Sequence, residues 1–282
     1  MITKLTYFSA VVFSGLLFFS ACQGQASDTN EETMTDSTTT VETTTPINLT
    51  RIDSSQEFPN AQLSMGNVTA TAAGDSVKLS FNFNVKNYEL KVQTGDNNSQ
   101  ICNNSDKGQH IHFILDNKPY VALYEPKHET TVAKNTEHYL MAFLSRSYHM
   151  SLKNEGAALV YHFKVDENGK LQKLEEPKTP MVFYSRPKGD YLGKDTENVL
   201  FDFYVWNATL GNDYKVKADI SAGGKDTSMM ITEWQPYFLK NMPMGKSTIK
   251  LTMVDKDGNK VDGPETEVSR EINLSKDEPM QP

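Results

Sequence analysis

Cysteine is scarce in this chain. Two residues of 282, Cys22 and Cys102, are too few for a disulfide-held scaffold. Positive charge is also short: 28 Lys and Arg stand against 36 Asp and Glu, for a formal net charge of −8. That balance argues against a nucleic-acid backbone as partner. Beyond residue 21 no apolar run approaches the ~20 residues that a membrane-spanning helix needs. From residue 52 onward no convincing amphipathic helical period is present. Catalytic signatures are missing as well. There is no Gly-x-Ser-x-Gly elbow and no His-Glu-x-x-His. Gly245-Lys246-Ser247 has the end of a phosphate-binding loop, but Lys240 stands where its first glycine belongs. Asp255-x-Asp257-Gly258 places glycine too early for a calcium loop. These absences lead to the expectation of a non-enzymatic protein with no resident cofactor.

The N-terminus reads as an address. Residues 1–21 carry one charge, Lys4, then an apolar stretch from Phe8 to Phe19 and the small residues Ser20 and Ala21. This is a secretory signal pattern, too short for a comfortable membrane span. Phe19-Ser20-Ala21-Cys22 resembles the bacterial lipoprotein signal, with Phe19 in place of the usual leucine. The resemblance implies lipidation of Cys22, cleavage before it and acylation of the new amine. Several acyl chains anchor stably where one does not. Cys102 is then a lone thiol with a structural role. Residues 26–46 hold 11 Ser or Thr and five acids, which cannot bury enough surface to offset chain entropy. Residues 22–51 are therefore expected to be a lipidated cysteine followed by a disordered linker. Asp36-Ser37-Thr38 is similar to an O-glycosylation acceptor of some Gram-negative envelope proteins.

From about residue 52, period-2 alternation dominates, as in Phe81-Asn82-Phe83-Asn84-Val85 and Phe201-Asp202-Phe203-Tyr204-Val205. Asn168-Gly169, Gly223-Gly224 and Asp257-Gly258 supply turns. The fold class that follows is all-β. An internal repeat refines it. Phe81-x-Phe83-x-Val85-x-Asn87-x-x-Leu90 recurs at Phe201-x-Phe203-x-Val205-x-Asn207-x-x-Leu210, an offset of 120. Pro119-Tyr120 recurs as Pro236-Tyr237, an offset of 117, and residues 138–165 lie over 247–274, an offset of 109. Two tandem immunoglobulin-like antiparallel β-sandwiches are expected, at 52–170 and 176–276, followed by a disordered tail at 277–282. The junction falls within 171–179.

Overlaying the copies isolates what is special about the first. All six histidines lie between 110 and 162. In this overlay His110-Ile111-His112 falls on Thr227-Ser228-Met229, and the Ser145–His149 loop on a plain turn at Val254–Gly258. His110 and His112 share one face of a strand, with Ile111, Phe113 and Leu115 on the core face. Two imidazoles can grip one Cu, Zn or Ni ion, with His149 or His138 as a third ligand. The competing reading is a pair of histidines on a solvated sheet face. The His-x-His strand with Asp116 resembles cupredoxin-like envelope proteins, but the Cys-and-Met set of a blue-copper site is missing, which argues against electron transfer. Arg146, with Ser145, Ser147 and His149, forms a candidate anion pocket, a guanidinium fork flanked by hydroxyls. Trp206 and Trp234 are expected to pack in the core or between the domains.

The stretch from Gly108 to Asn117, then Pro119-Tyr120, then Phe143-Leu144-Ser145-Arg146-Ser147-Tyr148-His149, resembles a family of uncharacterised Gram-negative envelope lipoproteins, some of which carry a phosphopeptide-binding label. The resemblance covers most of residues 57–275. It implies a lipid-anchored protein of the cell envelope that binds a protein or peptide ligand, phosphorylated or otherwise anionic, near Arg146. The alternative is an envelope protein that binds copper or zinc through the His110-x-His112 strand.

Overall fold

A computed structural model of the protein describes residues 45–52 and 54–277. The expected signal peptide, Cys22, most of the linker and most of the tail lie outside these residues. In chain order the strands are β1 (Asn48–Arg51), β2 (Gln62–Ala73), β3 (Ser76–Lys86), β4 (His110–Leu115), β5 (Val121–Leu123), β6 (Lys127–Ala133), β7 (Thr136–Ser145), β8 (Ala158–Val165) and β9 (Leu171–Lys173). Then follow β10 (Met181–Arg186), β11 (Gly189–Leu192), β12 (Val199–Trp206), β13 (Tyr214–Ala222), β14 (Lys225–Ile231), β15 (Tyr237–Lys240), β16 (Gly245–Asp255) and β17 (Glu267–Ser275). Among the described residues, helix is confined to one turn at Asn98–Ile101 and a 3-10 turn at Gly193–Thr196.

These strands form four sheets, two per sandwich. The first sandwich packs β2-β3-β6 against β5-β4-β7-β8-β9; the second packs β1-β15-β12-β10 against β11-β17-β16-β13-β14. Every pairing is antiparallel except β11 with β17. The alternation legible in the sequence sets the cores. Leu79, Phe81 and Phe83 on β3 meet Ile111, Phe113 and Leu115 on β4 and Leu140, Ala142 and Leu144 on β7. Phe201, Phe203 and Val205 on β12 meet Val216, Ala218 and Ile220 on β13 and Ile249, Leu251 and Met253 on β16.

The fold departs from expectation in three places. First, Asn48–Arg51, expected in the linker, is a strand of the second sandwich, in register with Tyr237–Lys240 of β15. The chain then crosses back to the first sandwich: Asn98 donates to the Ser54 carbonyl, the Gln56 amide donates to Asp96, and Phe58 packs edge-on against Tyr88. A segment with little apolar character is thus ordered by the two bodies it straps together.

Second, strand pairing corrects the overlay of the copies. β4 pairs β7 with His110 opposite Ser145, and β13 pairs β16 with Lys215 opposite Val254. The counterpart of His110-Ile111-His112 is therefore Lys215-Val216-Lys217 on β13, not Thr227-Ser228-Met229 on β14. Strands of period 2 align almost equally well one strand apart, and a long connection, residues 87–109, precedes β4, whereas 207–213 precede β13. The loop after β7 does match its partner bond for bond. Arg146 N donates to Met150 O as Asp255 N does to Asn259 O, His149 N to Arg146 O as Gly258 N to Asp255 O, and Leu152 N to Leu144 O as Val261 N to Met253 O.

Third, the face of β4 and β7 opposite the first core is not solvated. Ile114, Met141, Phe143 and Val160 of the first sandwich close against Met181, Phe183 and Tyr204 of the second, with Trp206 and Trp234 at the edge. The sheet carrying the histidines is buried on both faces, which is why β4 reads as an unbroken buried run. The described residues cluster as one compact unit.

Cys102 belongs to a smaller seam in which it meets Tyr148 and Met150 of the first sandwich and Leu200 and Phe238 of the second. Burial, and then the charge of Asp96, push its thiol up to about 12. A thiol so rarely ionised is a poor nucleophile. Cys102 is expected to resist iodoacetamide at pH 8 in the native protein and to react on denaturation, read by peptide mapping. Rapid native labelling would contradict the packing.

Candidate functional site: a buried histidine triad

The site is built where the two sandwiches meet. Strand β4 starts from Gly108, whose φ is +79°. A Cβ there would lie 2.6 Å from the Val92 carbonyl, so this position demands glycine. The Gly108 carbonyl accepts a hydrogen bond from His110 Nδ1 at 2.8 Å. A carbonyl can only accept, so Nδ1 carries the proton and Nε2 presents a lone pair. Two residues on, His112 projects from the same face, and its Nε2 lies 3.0 Å from His110 Nε2. Its Nδ1 is 3.0 Å from Ser185 Oγ, a residue of the second sandwich. Ser185 sits where the β10–β12 register slips between Tyr184 and Arg186, and such a bulge re-aims side chains.

The third member comes from the loop after β7. His149 Nδ1 is 3.0 Å from His110 Nε2 and 3.2 Å from the Tyr120 hydroxyl. His149 has a φ of +69°, at the position where the second copy has Gly258 with φ +85°. A side chain in this left-handed region costs about 1–2 kcal/mol. Such strain concentrates at functional positions. One copy uses the residue that tolerates the turn freely; the other keeps the turn and places an imidazole on it.

The three ligand atoms lie within 4.8 Å of one another. His110 and His112 have no exposed surface and His149 has 7%. The Tyr120 ring covers His112 at 3.6 Å, nearly parallel, and Tyr124 lies against His110. Burial pushes the His110 pKa down to about 4. The other two imidazoles are held well below the ordinary value, first by burial and then by neighbouring positive charge. All three are therefore neutral at neutral pH, the form that binds metal. His110 Nε2 lies 3.0 Å from both His112 Nε2 and His149 Nδ1, and unprotonated nitrogens this close repel through their lone pairs unless a proton or a cation stands between them. The Gly108 carbonyl on the far nitrogen of His110 and the Ser185 hydroxyl on that of His112 are contacts of the kind that orient metal-bound histidines.

The remaining sequence candidates go elsewhere. Arg146 is 5% exposed. Its Nε and Nη2 donate to the Gln56 carbonyl at 3.0 and 2.6 Å, and Nη1 donates to the Ser151 carbonyl at 3.2 Å. The fork expected to grip an anion grips the backbone of the N-terminal strap instead. Ser145 Oγ donates to the Arg146 carbonyl, while Ser147 and Thr94 exchange two hydrogen bonds. Of the four residues expected at the anion pocket, only His149 reaches the triad. His138 is turned to Asp116 and Thr136 and is not the third ligand. Sequence reasoning missed Tyr120, Ser185 and Arg186. Pro119-Tyr120 was visible as a repeat element. Nothing in the sequence brings the second sandwich's Ser185 to His112.

No protein-family model matches the chain, and no curated protein matches it. Among solved structures, the fibronectin(III)-like modules of Clostridium thermocellum CbhA align at 13% identity and a TM-score of 0.25, over 76% of this chain and 95% of that one. The chicken CNTN1 FN1-FN3 domains align at 12% identity and a TM-score of 0.24, over 77% of this chain and 66% of that one. The chain is an all-β protein whose sheets pack as two sandwiches, antiparallel but for one edge pairing.

Proposed function

We propose that the protein is a non-enzymatic, lipid-anchored envelope protein that binds one transition-metal ion, copper or zinc, through His110, His112 and His149. The observation that carries the reading is the convergence of three neutral imidazoles on one buried point, two from alternate positions of a strand and one from a strained turn. Imidazole suits copper and zinc, and the set contains no carboxylate or water-exposed oxygen that would favour magnesium or calcium. The signal sequence and Cys22 support envelope anchoring. A phosphopeptide or other anionic ligand at Arg146 is the weaker reading, because three of its donors already serve backbone carbonyls.

The test is competition between chelator-stripped protein and a chromophoric chelator, for copper and for zinc. One equivalent should bind, and His110→Ala or His149→Ala should weaken binding by about 100-fold or more, since each removes one of three ligands. No binding at micromolar metal would end the reading.

A further inference from the structure

Two cations, Arg186 and Lys188, cover the tyrosine ring that stacks on the triad. Arg186, 6% exposed, lies over the Tyr120 ring at 5.5 Å, and that ring stacks on His112. Its Nη1 donates to the Tyr191 hydroxyl at 3.2 Å. Its Nε is buried without a hydrogen-bond partner. Lys188 stands 4.2 Å over the same Tyr120 ring and donates to the Tyr120 carbonyl. Tyr120, which both cations cover, reaches two of the three imidazoles: its ring stacks on His112 and its hydroxyl lies 3.2 Å from His149 Nδ1.

Carboxylates that could offset these cations are committed elsewhere. Asp202, opposite Arg186 in the β10–β12 register, is held by Lys153 and Ser151. Asp116 is held by His138. The triad itself offers three nitrogen ligands and no carboxylate.

Two physical consequences follow. A buried guanidinium repels a bound cation in proportion to its charge, so a divalent ion is disfavoured about twice as strongly as a monovalent one. Coordination number points the same way. Zinc completes four ligands, taking a water where the protein offers three nitrogens, and cupric copper takes tetragonal sets, whereas singly charged cuprous copper is content with three nitrogens and needs no water in a site this buried. We propose, on the footing of the metal-site reading above, that the site selects Cu(I) over divalent ions and that Arg186 sets this selectivity by charge.

The experiment uses the full chain, stripped of metal and kept anaerobic. Affinities for Cu(I) and for Zn(II) are measured by competition with bicinchoninate and with a zinc-binding dye. Wild type, Arg186→Gln and Arg186→Lys are compared, with circular dichroism as the check on folding. Wild type should bind Cu(I) more tightly than Zn(II). Removing one unit of buried charge in Arg186→Gln should improve Zn(II) binding relative to Cu(I) on the order of tenfold. Arg186→Lys, which keeps the charge, should retain the wild-type ratio. Wild-type zinc binding as tight as Cu(I), or an unmoved ratio in a folded Arg186→Gln protein, overturns the charge-selection proposal while leaving a metal site in place. Absence of all binding overturns the metal site and this proposal with it. Should Arg186→Gln fail to fold, Lys188→Gln, which removes the second cation over the Tyr120 ring, gives the same test: a ratio shifted toward Zn(II) supports selection by charge, and an unmoved ratio overturns it.

Discussion

Asp202→Ala is expected to lower the unfolding free energy by about 3–5 kcal/mol, the usual cost of breaking one side of a buried ion pair. Asp202 on β12 has no exposed surface. Its carboxylate accepts from Ser151 N at 2.9 Å, Ser151 Oγ at 3.1 Å and Lys153 Nζ at 2.8 Å. Ser151 and Lys153 belong to the first sandwich, so the cluster pins one body to the other. Lys153 also donates to the Phe203 carbonyl and lies 4.7 Å over the Trp234 ring. Burial pulls the lysine pKa down and Asp202 holds it up. Removing the carboxylate leaves an ammonium and the Ser151 amide without their acceptor, which is costlier than removing both charges. The double variant Asp202→Leu with Lys153→Met should therefore recover much of the loss. Urea unfolding of the two variants and wild type decides the point. A single-variant cost below about 1 kcal/mol, the value of an exposed pair, would mean that water reaches the cluster.

How much of this was legible in the sequence depends on what each signal encodes. Alternation of apolar and polar residues fixes which strand face meets its own core, so Phe81, Ile111, Phe201 and their neighbours were placeable. Alternation says nothing about a second sheet covering the other face. His110 and His112 read as a polar face, and they are polar, yet the second sandwich buries them. Met141 and Phe143, facing the same way on β7, were the apolar hint that this face was not open to water.

Arg146 shows the converse. A guanidinium beside two serines has the chemistry of an anion site, but backbone carbonyls of an ordered strap satisfy the same fork, and no local pattern distinguishes them. Repeat arithmetic had its own weakness. Period-2 strands align almost equally well one strand out of place, so the first overlay set the histidines against β14. Only hydrogen-bond register set them against Lys215 and Lys217. That correction sharpens the chemistry: one copy presents ammonium groups where the other presents imidazoles. The His149–Gly258 equivalence, by contrast, was right from the sequence alone, because the loop has the same length in both copies.

Metal is expected to stabilise the protein, and the stabilisation should vanish in His149→Gly while the metal-free fold survives. A ligand that binds only the native state at a thousand times its Kd adds about 4 kcal/mol. For a body of this size that corresponds to roughly 8–16 °C in Tm. Most substitutions that destroy a metal site also damage the fold, which confounds such a measurement. His149→Gly avoids this. The backbone there already has φ +69°, a conformation glycine adopts without strain, and the same turn in the second copy is closed by Gly258. Strain relief of about 1–2 kcal/mol opposes a glycine entropy cost of about 1 kcal/mol and the loss of the side-chain contacts to His110 and Tyr120. The metal-free variant should therefore unfold within about 1 kcal/mol of wild type. Thermal melts of both proteins, with and without copper or zinc, give the answer. An equal metal-induced shift in wild type and His149→Gly would place the metal elsewhere; a large loss of metal-free stability would mean that the imidazole serves the turn rather than a ligand.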